Sequence, residues 1–173
     1  MFFADLGKKA MDPQYVKQVA QKIAKIDDPL PPGFNYQMGL DLMGMSIVSI
    51  TNPDARFNLM LMKLPQSASA ENPDNIIEKY AESGVPTVGA GRQQGATSQP
   101  MEIKSKGKTT VGGEEMPYAI GETQGEKNEK MQQLLGVIVP KGGKETVVVI
   151  GQSADGNYNM QLTEKLFSAI KGF

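Results

Sequence analysis

Residues 57–64 read Phe-Asn-Leu-Met-Leu-Met-Lys-Leu, which puts Phe57, Leu59 and Leu61 on one face of an extended strand and Met60, Met62 and Leu64 on the other. A strand that is apolar on both faces has none to offer water. The unbroken run Val147, Val148, Val149 and Ile150 makes the same demand. Both strands therefore belong to a sheet that is covered on each side, and the chain must supply helices for two layers rather than one.

Three helices can be read as those covers. Asp12 is a good N-cap and Pro13 a good first helical residue, and Val16, Val19, Ala20, Ile23 and Ile26 follow at helical spacing, with Lys17, Gln18, Gln21, Lys22 and Lys25 opposite. Asn72-Pro73 repeats that start signal ahead of Ile76, Ile77 and Tyr80, and Gly84 stands where a helix ends. After the turn signal Asp155-Gly156-Asn157, the stripe Leu162, Leu166, Ala169, Ile170 and Phe173 predicts a last helix running to the end of the chain.

Between the helices the apolar period drops to two. Pro31-Pro32-Gly33 releases a strand over 34–40, and strands over 45–51 and 57–64 flank the turn Asn52-Pro53-Asp54. Further on, 101–104 and 109–111 read as a pair around Ser105-Lys106-Gly107, and 115–122 follows the Gly112-Gly113 break. The last hairpin joins 134–139 to 145–150 through Pro140-Lys141-Gly142-Gly143-Lys144. Strands arriving as consecutive hairpins pair antiparallel. The expected class is therefore α+β, a mainly antiparallel sheet with helices on both faces, forming an α/β/α sandwich.

At 173 residues and 18.7 kDa the chain fits one domain, read as 12–173 with a mobile loop near 85–100. Residues 1–11 read as a leash or the remnant of an anchor. Met1-Phe2-Phe3-Ala4 is apolar, with Phe2 and Phe3 closest to any anchor, and Asp5-Leu6-Gly7-Lys8-Lys9 steps away from it. No run approaches the roughly 18 apolar residues of a membrane span, so tethering would need a segment upstream of Met1.

Composition narrows the chemistry. The chain contains no histidine, no cysteine and no tryptophan, which removes the usual proton shuttle, the thiolate nucleophile and the strongest soft metal ligands. A net charge of −1 and a pI near 5.6 give no field to hold a polyanion, so nucleic acid is not expected as a partner. No cofactor and no metal are expected either. Eleven methionines include Met38, Met43, Met45, Met60 and Met62, with Met43/Met45 and Met60/Met62 read as same-face pairs; they read as adaptable core filler rather than a copper site.

Several short motifs imitate active sites and fail on context. The run Gly89-Ala90-Gly91-Arg92-Gln93-Gln94-Gly95 is glycine-rich, but a helix precedes it where a dinucleotide loop needs a strand. Gly151-Gln152-Ser153-Ala154-Asp155 sits between strand and helix like a nucleophile elbow, yet no histidine exists to take the serine proton, and Asp155 reads as part of a turn and cap. Ser105/Lys108 and Ser168/Lys171 have serine–lysine spacing without a buried helix-start serine. The carboxylates Asp27, Asp28, Asp41, Asp54, Glu114 and Glu115 are the remaining catalytic option.

The order of elements, with Pro-Pro-Gly-Phe at 31–34 entering the first strand and strand–Gly-Gln-Ser-Ala-Asp-Gly–helix at the end, resembles the PsbP-like fold over residues 30–173. That family includes photosystem II extrinsic proteins, DcrB-like lipoproteins and a nuclear-import factor that binds Ran. The resemblance implies a non-enzymatic accessory or protein-interaction module, extracytoplasmic or periplasmic, with a protein as partner; the apolar start at Met1-Phe2-Phe3-Ala4 adds the expectation that it is membrane-tethered. No functional residue of the family maps onto this chain; Lys104, Lys106, Lys108 and Arg92 are candidate contact residues from the sequence itself, and the three lysines read equally as protection of an exposed hairpin against edge pairing. Three alternatives stand beside it: a cytoplasmic module, a carrier of a small apolar ligand, and a carboxylate-dependent hydrolase.

Overall fold

Asp12 opens the first helix, α1 (Pro13–Ile23), by accepting the Tyr15 N–H on its side chain at 2.9 Å, while Pro13 occupies a position whose own N–H would have no partner. The computed structural model describes residues 7–68, 71–85, 99–124, 129–142, 145–154 and 156–173. In chain order α1 is followed by β1 (Lys25–Ile26), β2 (Asn35–Leu42), β3 (Met45–Asn52), β4 (Phe57–Lys63), α2 (Pro73–Ser83), β5 (Glu102–Val111), β6 (Glu114–Gln124), β7 (Lys130–Ile138), β8 (Val147–Ser153), α3 (Met160–Phe167) and β9 (Ile170–Gly172). The chain is α+β, as the hairpin order implied. Residues 7–10 are helical, and Ala10 is buried.

Seven strands form one antiparallel sheet in the order β2-β3-β4-β8-β7-β6-β5. β4 and β8 lie inside it and are apolar on both faces, so each face carries its own core. On one, Val48, Ile50, Leu59, Leu61, Val147, Val149 and Leu134 pack with α1 residues Val16 and Val19 and α3 residues Leu166 and Phe167. On the other, Ile47, Met60, Met62, Val148, Ile150, Leu135 and Val137 pack with Ile76, Ile77 and Ala81 of α2. Burial of this apolar area is the main term holding the layers together.

Close approach depends on missing side chains. A Cβ at Gly39 of β2 would stand 3.0 Å from the Cα of Val16, so glycine there lets α1 lie directly on the sheet. In β5 the Tyr118 ring occupies the space where a Gly107 side chain would be, its hydroxyl 2.6 Å from that Cβ position.

That packing corrects one reading. Ser105-Lys106-Gly107 is not a turn but lies within β5, facing Ile120, Ala119 and Tyr118 of β6. Gly107 marks a ring contact, and the hairpin turns at Gly112-Gly113, where both residues have positive φ (56° and 83°). The last helix also ends sooner than its stripe implied. The Ala169 N–H tightens onto the Leu166 carbonyl, the Ala169 carbonyl accepts the Asp27 N–H at 2.8 Å, and Ile170 pairs with Ile26 as β9. Asn159 caps α3, its side chain accepting the Leu162 N–H at 3.1 Å; Asp155 lies outside the described residues. Met43 sits in the β2–β3 turn at φ 53°, fully exposed, so it forms no strand-face pair with Met45.

Candidate functional site

β5 is an edge strand with a mostly exposed surface, and Lys104, Lys106 and Lys108 all lie on it. Lys106 and Lys108 face Ala119 and Pro117 in the ladder, two residues apart and therefore on one face, while Lys104 falls at the irregularity between Ile103 and Ser105. Each lysine meets a glutamate. Lys104 reaches Glu102 at 2.6 Å, Lys106 reaches Glu78 on α2 at 3.3 Å, and Lys108 reaches Glu115 at 3.1 Å. The hydrogen bond from Lys104 holds Glu102 below the ordinary glutamate range and Lys104 above the ordinary lysine range. All three pairs are open to solvent, where such contacts add little stability and exchange readily for others. An alternating lysine edge also resists pairing with a stray strand. Arg92, Phe2 and Phe3 lie outside the described residues, as does the glycine-rich run.

Among the described residues, Ser153, Ser168 and Lys171 of the motifs that imitated active sites are held in contacts of the fold itself. Ser153 is buried at the end of β8, opposite Phe57 and Gln132. Ser168 donates to the Lys165 carbonyl at 2.7 Å, and Lys171 turns to Asp27 at 3.2 Å. Five of the six carboxylates singled out in the sequence meet a cation or a donor. Asp28 takes Lys17 at 3.0 Å, and Glu114 accepts the Lys141 N–H at 3.2 Å. Asp41 takes Lys22 and Ser46, and the Lys22 hydrogen bond holds its carboxyl below the ordinary range. Among the described residues no group of three or more Asp or Glu could hold a metal, and no helix is long and apolar enough to cross a membrane.

Two further features were not legible in the sequence. A shallow cleft of about 330 Å³ opens between α1 and β2, lined by Lys17, Gln18, Gln21, Asp28 and Tyr36. Burial, with the Asp28 charge nearby, pushes the Tyr36 phenol up to about 12. Across the α2 face runs a row of uncharged polar residues brought together by register alone: Thr51 opposite Asn58, Asn58 opposite Gln152, and Gln152 opposite Gln133. The Gln152 amide donates to the Gln133 carbonyl at 3.2 Å, and Ser49 donates toward Asn58 at 2.7 Å. Gln133 is fully buried, and its amide nitrogen has no partner among the described residues.

No protein-family model matches the chain, and no curated protein matches it. Among solved structures it is similar to LpqN, involved in cell envelope biogenesis of Mycobacterium tuberculosis, at 12% identity and a TM-score of 0.38 over 83% of this chain and 76% of that one. A likeness of that size carries no argument about function.

Proposed function

We propose that the chain is a non-enzymatic accessory module that engages a protein partner along the edge strand β5. The observation that supports the reading is the surroundings of the carboxylates singled out in the sequence: Asp27, Asp28, Asp41 and Glu115 each face a lysine, and Glu114 accepts a backbone N–H. The exposed lysine–glutamate pairs of β5 suit a protein surface, because either charge can exchange its neighbour for one on a partner. We place the module outside the cytoplasm, at the membrane. That part of the reading rests on the apolar Met1-Phe2-Phe3-Ala4 start, the Lys8-Lys9 step and the PsbP-like order of elements.

Native size tests the interaction. Detergent extracts of the source cells should contain the protein in a complex larger than its own 18.7 kDa. The triple variant Lys104→Gln, Lys106→Gln, Lys108→Gln should run at monomer size with an unchanged melting temperature. A wild-type protein that runs as a monomer contradicts the proposal. Fractionation tests the location, for which the expected result is membrane-bound protein open to protease from outside the cytoplasm. Soluble cytoplasmic protein would replace the tethered reading with a cytoplasmic module.

A further inference from the structure

The methionines share one chemistry and differ sharply in exposure. Among the described residues Met38, Met60, Met62, Met101 and Met116 are buried, Met45, Met131 and Met160 are half-buried, and Met11 is 56% exposed. Met43 is 100% exposed. It stands at the tip of the β2–β3 hairpin, where Leu42 pairs with Met45 and only Met43 and Gly44 make the turn. Both turn residues have positive φ, 53° and 80°. Such a turn favours asparagine, aspartate or glycine at the place Met43 takes, and a side chain open to water on all sides packs nothing. Neither the turn nor the packing calls for a methionine there. Its sulfur is the remaining reason. With no cysteine in the chain, no thiol competes with the methionines for a two-electron oxidant.

We propose that Met43 is a reversible oxidation site, which takes one oxygen atom from a peroxide and gives it up to a thiol-dependent methionine sulfoxide reductase. In the forward step a lone pair on Sδ attacks one peroxide oxygen. The S–O bond forms, the O–O bond breaks, and the departing hydroxide takes the proton of the transferred oxygen and leaves as water. Sulfur loses two electrons and the peroxide gains them. In the return step two thiols of the reductase system close to a disulfide, and the oxygen leaves as water. A sulfoxide is polar, so its place decides its cost. At Met60, Met62 or Met116 the added oxygen would lie in a core. At Met43 it stays in water and the packing is untouched, and the hairpin tip presents the sulfoxide to a reductase without local unfolding. This site is independent of the β5 edge: either can fail while the other stands.

Graded hydrogen peroxide added to the full chain, followed by peptide mapping, tests the proposal. The first oxygen should enter at Met43, at close to the rate of free methionine and several-fold faster than at any other methionine of the described residues. The singly oxidised protein should keep its melting temperature, and methionine sulfoxide reductases of both epimer specificities, with dithiothreitol, should remove the oxygen. Met43→Leu should abolish the fast phase and leave the rates at the other sites unchanged. In source cells given a peroxide pulse with protein synthesis blocked, Met43 sulfoxide should appear and then decline once the peroxide is gone. Oxidation at Met11 or at a half-buried methionine as fast as at Met43 would overturn the proposal. So would a fall in melting temperature with the first oxygen, a sulfoxide that the reductases leave in place, or a Met43 that stays reduced through the pulse.

Discussion

Tyr36, Tyr80 and Tyr158 are changed by the fold in the same direction. Burial raises each phenol: Tyr36 to about 12 with help from the Asp28 charge, Tyr80 in the same direction beside Glu71, and Tyr158 further still despite its 2.6 Å hydrogen bond to Thr163. A phenol raised in the folded state favours folding fully below its unfolded value, near 10, and that contribution fades as pH climbs through the folded value. Phenolate absorbance should therefore show these tyrosines ionising late, and Tyr36→Phe should remove a step near 12. A single transition at the ordinary tyrosine value, with the protein still folded, would contradict that. Single residues were unevenly legible in the sequence. Lys104, Lys106 and Lys108 could be named as exposed from their alternation, but not as residues of one strand, because Lys106 reads as part of a turn. Gln133 could not, because its neighbour Gln152 is 19 positions away and only the register of β7 on β8 joins them.

Elements were legible where caps and period agree, and less so where one signal serves two conformations. α1 and α2 begin where Asp12-Pro13 and Asn72-Pro73 place them, since capping is local and written in adjacent residues. Ile170 was assigned to α3 because it continues the apolar stripe. A buried isoleucine fits that stripe and a strand equally well, and the pairing with Ile26 that decides between them is remote in sequence. Gly107 misled for a related reason: a glycine read as a turn residue is instead the floor beneath the Tyr118 ring. The stripe within α3 itself is firm. Leu166 is completely buried, so Leu166→Ala should cost about 2 to 4 kcal/mol in denaturant melts. A loss below about 0.5 kcal/mol would mean that α3 does not hold to the sheet.

At the scale of the whole molecule, β4 and β8, apolar on both faces, demanded two covers, and α1 and α3 on one side with α2 on the other provide them. Both faces are closed over much of their area, which leaves the two edges of the sheet. β5 is the longer edge, ten residues against eight in β2. Cross-linking in the source cells tests whether β5 meets a protein partner. A photoreactive residue would replace Lys106 on β5 or, for comparison, Gln18 on α1 across the molecule. Position 106 should give one discrete heterologous adduct and position 18 none; adducts from position 18 alone, or none from position 106, would rule out an interface along β5.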